Sequence, residues 1–328
     1  MRRRLIANPR AGRGSPALFQ ALASGGHPFG DTDVVVTTFP GEAALLARKA
    51  VEDDVDVVLV AGGDGTMNEV ASALVGHGTA LGVLPTGSGN GLARVLGIPL
   101  GLRDALRALG SAEVRLMDTG VLNGHPFVNV AGAGLDAAVG SAFQDRGASG
   151  GGRGLWPYFE LGIRKAWAFE ARRIRIETDA EVIESRALIV AFANGRQYGG
   201  GAVIAPGALL DDGILDLVLF EDASFLEALT QVPKLFYGGI ESYAAYRHVP
   251  VRHAIIRAED PLGSHRDGEP GDEAVILEVS VVSRALPVLV PKKTLRNPLG
   301  PFQAAPDGFP SREGLRYRQA MTGKRAWA

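Results

Sequence analysis

Short apolar runs alternate with longer amphipathic stretches through residues 1–122 of the chain. RRRLIAN, DVVVTT, DVVLVAG and LGVLP read as strands, and SPALFQALAS, EAALLARKAVED and NEVASALVG as the helices between them. Strand then helix, repeated, predicts an α/β domain with a parallel sheet. Val57–Val60 is apolar at every position, as a strand covered by helices on both faces requires. From about Val121 the period changes. Arg172–Asp179 (RRIRIETD) alternates polar and apolar residues, and ILDLVLF and AVILEVSVVS follow with turn-rich spacers. Residues 123–285 are therefore expected to be mainly antiparallel and β-rich, interrupted by helical stretches around Trp156–Phe169 and Ser224–Tyr237. Gly147–Gly154 reads as a mobile loop. The segment 297–328, rich in Pro, Gly and Arg without periodicity, reads as a tail that is poorly ordered or draped over the surface.

Composition narrows the function classes. A chain of 328 residues exceeds the roughly 250–300 at which single cores stop growing, which favours two domains. The formal charge of −2 argues against non-specific binding to nucleic acid or to an anionic membrane. Without cysteine there is no disulfide, no zinc–thiolate site and no thiol nucleophile, and the opening MRRRLIANP has no apolar stretch of signal-peptide length. The expected location is the cytoplasm, with peripheral contact at the inner face of the membrane. The six histidines show no metal spacing. Nothing in the sequence argues for an oligomer.

The strongest chemical signal is Gly62-Gly63-Asp64-Gly65-Thr66, between the strand DVVLVA and a helix starting at Asn68. Glycines let backbone N–H groups approach phosphate closely, and the helix N-terminus adds unpaired donors and the positive end of its dipole. A carboxylate there would repel phosphates unless it holds Mg²⁺ or takes a proton from an attacking hydroxyl. The bland alternative is a tight turn with Asp64 or Thr66 as cap. A second loop of the same kind, Leu84–Arg94 (LPTGSGNGLAR), follows the next strand. Two such loops at the ends of neighbouring parallel strands face one crevice. Asn8, in the segment Asn8–Gly14 that ends the first strand, would lie beside it.

GGDGT, the pair Asn68–Glu69, the NPxAGxG opening and LPTGSGN together resemble the diacylglycerol kinase catalytic family, which includes bacterial lipid kinases and sphingosine and ceramide kinases and is distantly related to NAD kinases. The resemblance reaches about residue 290. It implies an N-terminal nucleotide domain to which the last strand, near 286–296, returns, a β-rich lipid domain, and an active site between them. It implies ATP as co-substrate, Mg²⁺ as cofactor, and a lipid acceptor. No apolar run reaches the roughly 20 residues of a membrane span, so the lipid would be taken from a membrane surface. Carried over by position, the nucleotide contacts are Asn8, Thr37, Gly62, Gly63, Asp64, Gly65, Thr66, Met67, Asn68, Ser88 and Asn90. Gly91 departs from the bacterial diacylglycerol kinase spelling, which leaves the lipid open.

In the second half, LLDDGILD resembles a loop that holds a structural Mg²⁺ through Asp212 and the carbonyls of Leu209 and Ile214. Oxygen ligands suit a hard cation, and a strand-capping turn is the alternative. Asp267 and Glu269 lie two apart, so an extended chain would point both carboxylates to one side, where such a catalytic pair can push one pKa upward and make a base; a solvated hairpin tip, SHRDGEPGD, is the alternative. The resemblance makes Glu269 the proton acceptor for the lipid hydroxyl, with Asp64 as the other candidate. Ala131–Ala138 fits a dinucleotide pattern but lacks the acidic residue such a site needs. Two rival readings are an NAD kinase and a catalytically silent nucleotide- or lipid-binding regulator.

Overall fold

The computed structural model describes residues 2–11, 29, 32–134, 171–221 and 225–303. The helix expected at SPALFQALAS, the glycine loop Gly147–Gly154 and the helix around Trp156–Phe169 lie outside them. The chain forms two compact units. One takes residues up to Thr119, Leu210–Asp212 and the chain from Ser283 onward; the other takes Gly120–Leu209 and Gly213–Val282.

In the first unit the strands are β1 (Arg3–Ala7), β2 (Asp33–Val36), β3 (Val57–Gly62) and β4 (Ala80–Pro85). β1 pairs parallel with β2 and β3, and β3 with β4, in a register that sets Ile6 beside Val60 and Val60 beside Val83. Every residue of β3 and β4 is buried, which is why their sequences are apolar without alternation. Helix α1 (Glu42–Glu52) buries Ala43, Ala47 and Ala50, one stripe at helical spacing. Helix α2 (Asp64–Leu74) buries Met67, Val70, Ala71 and Leu74 in the same way. Two further helices follow, α3 (Gly91–Val95) and α4 (Leu102–Gly110).

The second unit holds the end of β5 (Glu113–Leu122), then β6 (His125–Phe127), β7 (Val130–Gly134), β8 (Arg172–Thr178), β9 (Val182–Ala193) and β10 (Leu215–Glu221). Helix α5 (Phe225–Tyr237), β11 (Tyr246–Val251), β12 (His253–Arg266) and β13 (Glu269–Val290, to Val282) complete it. The pairings are antiparallel: β11 with β10, β10 with β9, β9 with β7, β7 with β12, and β12 with β13. β8 lies between β9 and β12. Ile174 and Ile176 of β8 enter a core with Phe127, Phe192, Leu217 and Ile256, while Arg173 and Arg175 face solvent. This is the period-two alternation of a sheet wet on one face.

β13 runs on beyond the second unit, and its residue Val288 pairs parallel with Leu81 of β4 in the first. After helix α6 (Lys292–Leu295) the chain does not become a loose tail at once. The carbonyl of Pro301 accepts the Leu210 N–H at 2.7 Å, and Phe302 is only 8% exposed. The expected tail is thus held at least to Gln303; residues 304–328 lie outside the described ones.

Candidate active site

β3 and β4 each run into a glycine turn and then a helix. At Gly62 a Cβ would lie 2.6 Å from Cβ of Thr66, so only glycine lets the first turn of α2 close over the strand end. Gly63 caps α2 in an extended conformation, with no side-chain hydrogen bond at the cap. The first bond within the helix runs from the Met67 N–H to the Gly63 carbonyl at 3.0 Å. The amides of Asp64, Gly65 and Thr66 therefore stand at the helix end without an intrahelical acceptor, which suits them to an anion.

The second loop is shaped by Asn90. It sits at φ 54° and closes a ring with Gly87, donating from Nδ2 to the Gly87 carbonyl at 2.8 Å and accepting the Gly87 N–H at Oδ1 at 3.1 Å. A Cβ on Gly87 would come within 2.6 Å of the Gly63 Cα. The two glycine loops are thus in backbone contact. Arg94, which the sequence reading did not single out, donates from Nε to the Gly89 carbonyl at 3.0 Å and holds the outer side of the loop.

Asp64 has a different partner from those its sequence context suggested. Its Oδ2 accepts the Asn90 N–H at 2.8 Å and its Oδ1 accepts the Gly91 N–H at 2.7 Å. The carboxylate of the first loop therefore caps helix α3 of the second and ties the loops together. Gly91 is buried and begins α3, so its departure from the expected spelling falls at a helix start.

The other expected nucleotide contacts divide. Asn8 donates to the Thr66 hydroxyl at 2.8 Å and accepts the Arg10 N–H at 2.9 Å, which fixes the end of β1 against the first loop. Thr37 is buried, its N–H on the Ala7 carbonyl at 2.9 Å. Ser88 is exposed at the crest of the second loop. Asn68 is half-buried and accepts the Ser72 hydroxyl at 3.1 Å. Met67 is a core residue whose N–H is already bonded, so it offers a ligand neither side chain nor amide.

In the second unit, Asp267 and Glu269 are not two positions of an extended strand. Asp267 (φ 51°) and Gly268 (φ 86°) form the two-residue turn between β12 and β13, with Arg266 opposite Glu269. Positive φ at both central positions is the type I′ signature of an Asp-Gly hairpin. The Asp267 carboxylate accepts N–H bonds from Val128 (2.8 Å), Asn129 (2.8 Å) and Val130 (3.0 Å). Burial pushes its pKa above the ordinary carboxylate range, opposed by those three donors. The expected carboxylate pair is thus replaced by a clamp, Asp267, that sets the turn from which Glu269 projects. His265, buried beside it, accepts the Gly268 N–H at Nδ1 at 3.4 Å.

In the LLDDGILD loop the two aspartates differ. Asp211 accepts the Gln303 N–H at 2.8 Å, and burial raises its pKa, opposed by that bond and by Arg284 and Arg115. Asp212 is half-buried. Asp118, fully buried and absent from the sequence reading, accepts the Arg284 N–H at 2.6 Å and donates its own N–H to the Leu210 carbonyl at 2.6 Å.

Residues 2–122, which carry both glycine loops, match the diacylglycerol kinase catalytic domain, and residues 129–290 match the YegS C-terminal NAD kinase beta sandwich-like domain. A protein of Chromohalobacter salexigens named probable lipid kinase YegS-like is 32% identical over 243 residues, 72% of this chain and 77% of its own. The diacylglycerol kinase of Bacillus subtilis is 31% identical over 281 residues, 82% of this chain and 90% of its own. The chain belongs to the diacylglycerol kinase catalytic family. It is a kinase. The fold agrees: a crystal structure of a diacylglycerol kinase from Bacillus anthracis superposes with a TM-score of 0.70 at 22% identity, covering 89% of this chain and 97% of that one. Among the described residues of this family member no three His, Asp or Glu side chains cluster to hold a metal. No helix among them is long and apolar enough to cross a membrane.

Proposed function

We propose that this kinase transfers the γ-phosphoryl group of ATP to the hydroxyl of a lipid drawn from a membrane surface. The observation that carries the proposal is the pair of glycine loops locked in backbone contact at the ends of β3 and β4, with the uncapped N-terminus of α2 beside them. The parallel register of β2, β1, β3 and β4 supports reading this unit as the α/β nucleotide domain. The names of the relatives from Chromohalobacter and Bacillus support a lipid as acceptor.

In this reading the amides of Gly65 and Thr66 and the Ser88 hydroxyl receive the phosphates, and Asn8 keeps the Thr66 hydroxyl in place. Asp64 holds the second loop against the first, so that both sets of donors act on one polyphosphate without reorganising. Glu269, on its fixed hairpin, takes the proton of the lipid hydroxyl. Mg²⁺, when bound, neutralises charge on the transferring phosphates. The donor set for a structural Mg²⁺ is Asp212 with the Leu209 and Ile214 carbonyls, oxygen ligands that fit a hard cation.

The test is transfer from labelled ATP to diacylglycerol, sphingosine, ceramide and phosphatidylglycerol, with NAD as a separate acceptor. One lipid turning over supports the proposal. Transfer to NAD alone would make the chain an NAD kinase, and no transfer alongside intact ATP binding would make it a silent regulator.

A further inference from the structure

The chain after β13 makes a continuous set of contacts, all within the first unit. At its near end, in α6, the Thr294 hydroxyl donates to the Leu96 carbonyl at 3.1 Å, directly behind α3. Gly97 (φ 68°) leaves room for it, since a Cβ there would lie 2.2 Å from the Thr294 hydroxyl. The chain then folds through Asn297, whose carbonyl accepts the Gly300 N–H at 2.8 Å and whose Oδ1 accepts the Leu299 N–H at 3.1 Å. Gly300 passes so close to this turn that a Cβ would sit 2.8 Å from the carbonyl oxygens of both Asn297 and Thr294. At the far end the Pro301 carbonyl accepts the Leu210 N–H at 2.7 Å, the Asp211 carboxylate accepts the Gln303 N–H at 2.8 Å, and Phe302 is buried between these anchors. Leu210 is held from its other side by the Asp118 N–H.

We propose that Thr294–Gln303 is a strap that couples the helix behind the second glycine loop to the 209–214 loop, with Asp211 as the positioning residue that fastens it. Two adjoining residues of one loop bond the strap, one through its backbone and one through its side chain, so the loop cannot move without it. At its other end the strap grips the C-terminal end of α3, whose N-terminus Asp64 caps. Loosening either end therefore loosens the other, because a coupling between two places is reciprocal. The functional weight of the strap rests on the kinase reading above, since it reaches the loop that reading assigns to Mg²⁺ and the loop it assigns to ATP. Its mechanical role does not.

The experiment is amide hydrogen exchange on the full-length chain, which needs no turnover. Asp211→Ala, having lost the acceptor for Gln303, should speed exchange about tenfold in a peptide spanning 207–215 and measurably in one spanning 86–97. Asp211→Asn keeps an acceptor oxygen and should restore most of the protection in both. Gly300→Ala, which disturbs the strap without touching Asp211, should reproduce the Asp211→Ala pattern and stands in for it should that variant fold poorly. Wild-type exchange in 207–215 for both variants would overturn the strap. Faster exchange there with 86–97 unchanged would overturn the coupling and leave Asp211 a local fastening. Absence of lipid phosphorylation by the wild type would count against the lipid-kinase proposal and leave these exchange results standing.

Discussion

The residue whose role changes most between sequence and structure is Asp64. In the sequence it is a carboxylate among glycines built for phosphate; in the structure its two oxygens take the amides of Asn90 and Gly91, 26 and 27 residues away. Backbone donors leave no trace in the residue types around them, so this role could not be read from GGDGT. Asp64→Ala should orphan both N–H groups, each costing about 1–3 kcal/mol if it finds no water. It should lower the melting temperature and weaken ATP binding in calorimetry. Unchanged ATP affinity with turnover abolished would instead make Asp64 a participant in the chemistry. Glu269→Gln should divide differently: turnover falls about 10²–10⁴-fold, the usual range for a lost general base, while ATP affinity holds. Should ATP binding collapse, Glu269 would be serving the nucleotide and not the acceptor.

At the scale of elements, legibility followed periodicity. The runs that became β3 and β4 were plain because strands buried on both faces are apolar throughout, and β8 was plain because one face is wet. The long strand β12 was missed: its stretch EDPLGSHR reads as turn-forming, yet pairing with β7 and β13 carries it through. The glycine loops were legible as a type, but not their contact, which depends on how neighbouring strands align. That contact predicts an asymmetry. Gly87→Ala places a methyl 2.6 Å from the Gly63 Cα and must push the loops apart, whereas Gly63→Ala meets the Gly87 Cα at an ordinary 3.6 Å. In thermal unfolding Gly87→Ala should cost about 1–3 kcal/mol, the range for overpacking, and Gly63→Ala about 0.5 or less. Equal costs would show that the loops give way freely. The hairpin holding Glu269 was legible only as the alternative to an extended pair, and Asp267 was not legible as its clamp, because the amides it binds lie 137–139 residues earlier. Asp267→Ala should destabilise the protein by about 3 kcal/mol, as several orphaned donors would.

For the whole molecule, the sequence changes period near Val121 and the second unit begins at Gly120, while the return of Leu210–Asp212 to the first unit carries no such mark, since three residues hold no period. Global stability should also report on a site the sequence reading passed over. In the second unit His248 Nε2 meets the Asp216 carboxylate, and that bond holds the histidine above its ordinary pKa; partial burial opposes it, and the charges of Asp216 and Glu241 add to it. Arg196 is a further cation near Asp216. A histidine that binds its proton more tightly when folded stabilises the fold fully below its unfolded pKa of about 6.5, and this stabilisation is lost as pH rises through the folded value. With the His248 side chain 40% exposed, the effect is modest and screened by salt. His248→Gln should therefore lower the melting temperature most near pH 5.5, and the gap from wild type should close as the pH is raised past the folded value. Asp216 is nearly buried, so Asp216→Asn should also destabilise at every pH, but with the pH-dependent part removed. A gap between wild type and His248→Gln that stays constant from pH 5.5 to pH 9, or widens with pH, would show that the imidazole acts there through its packing and not through its charge.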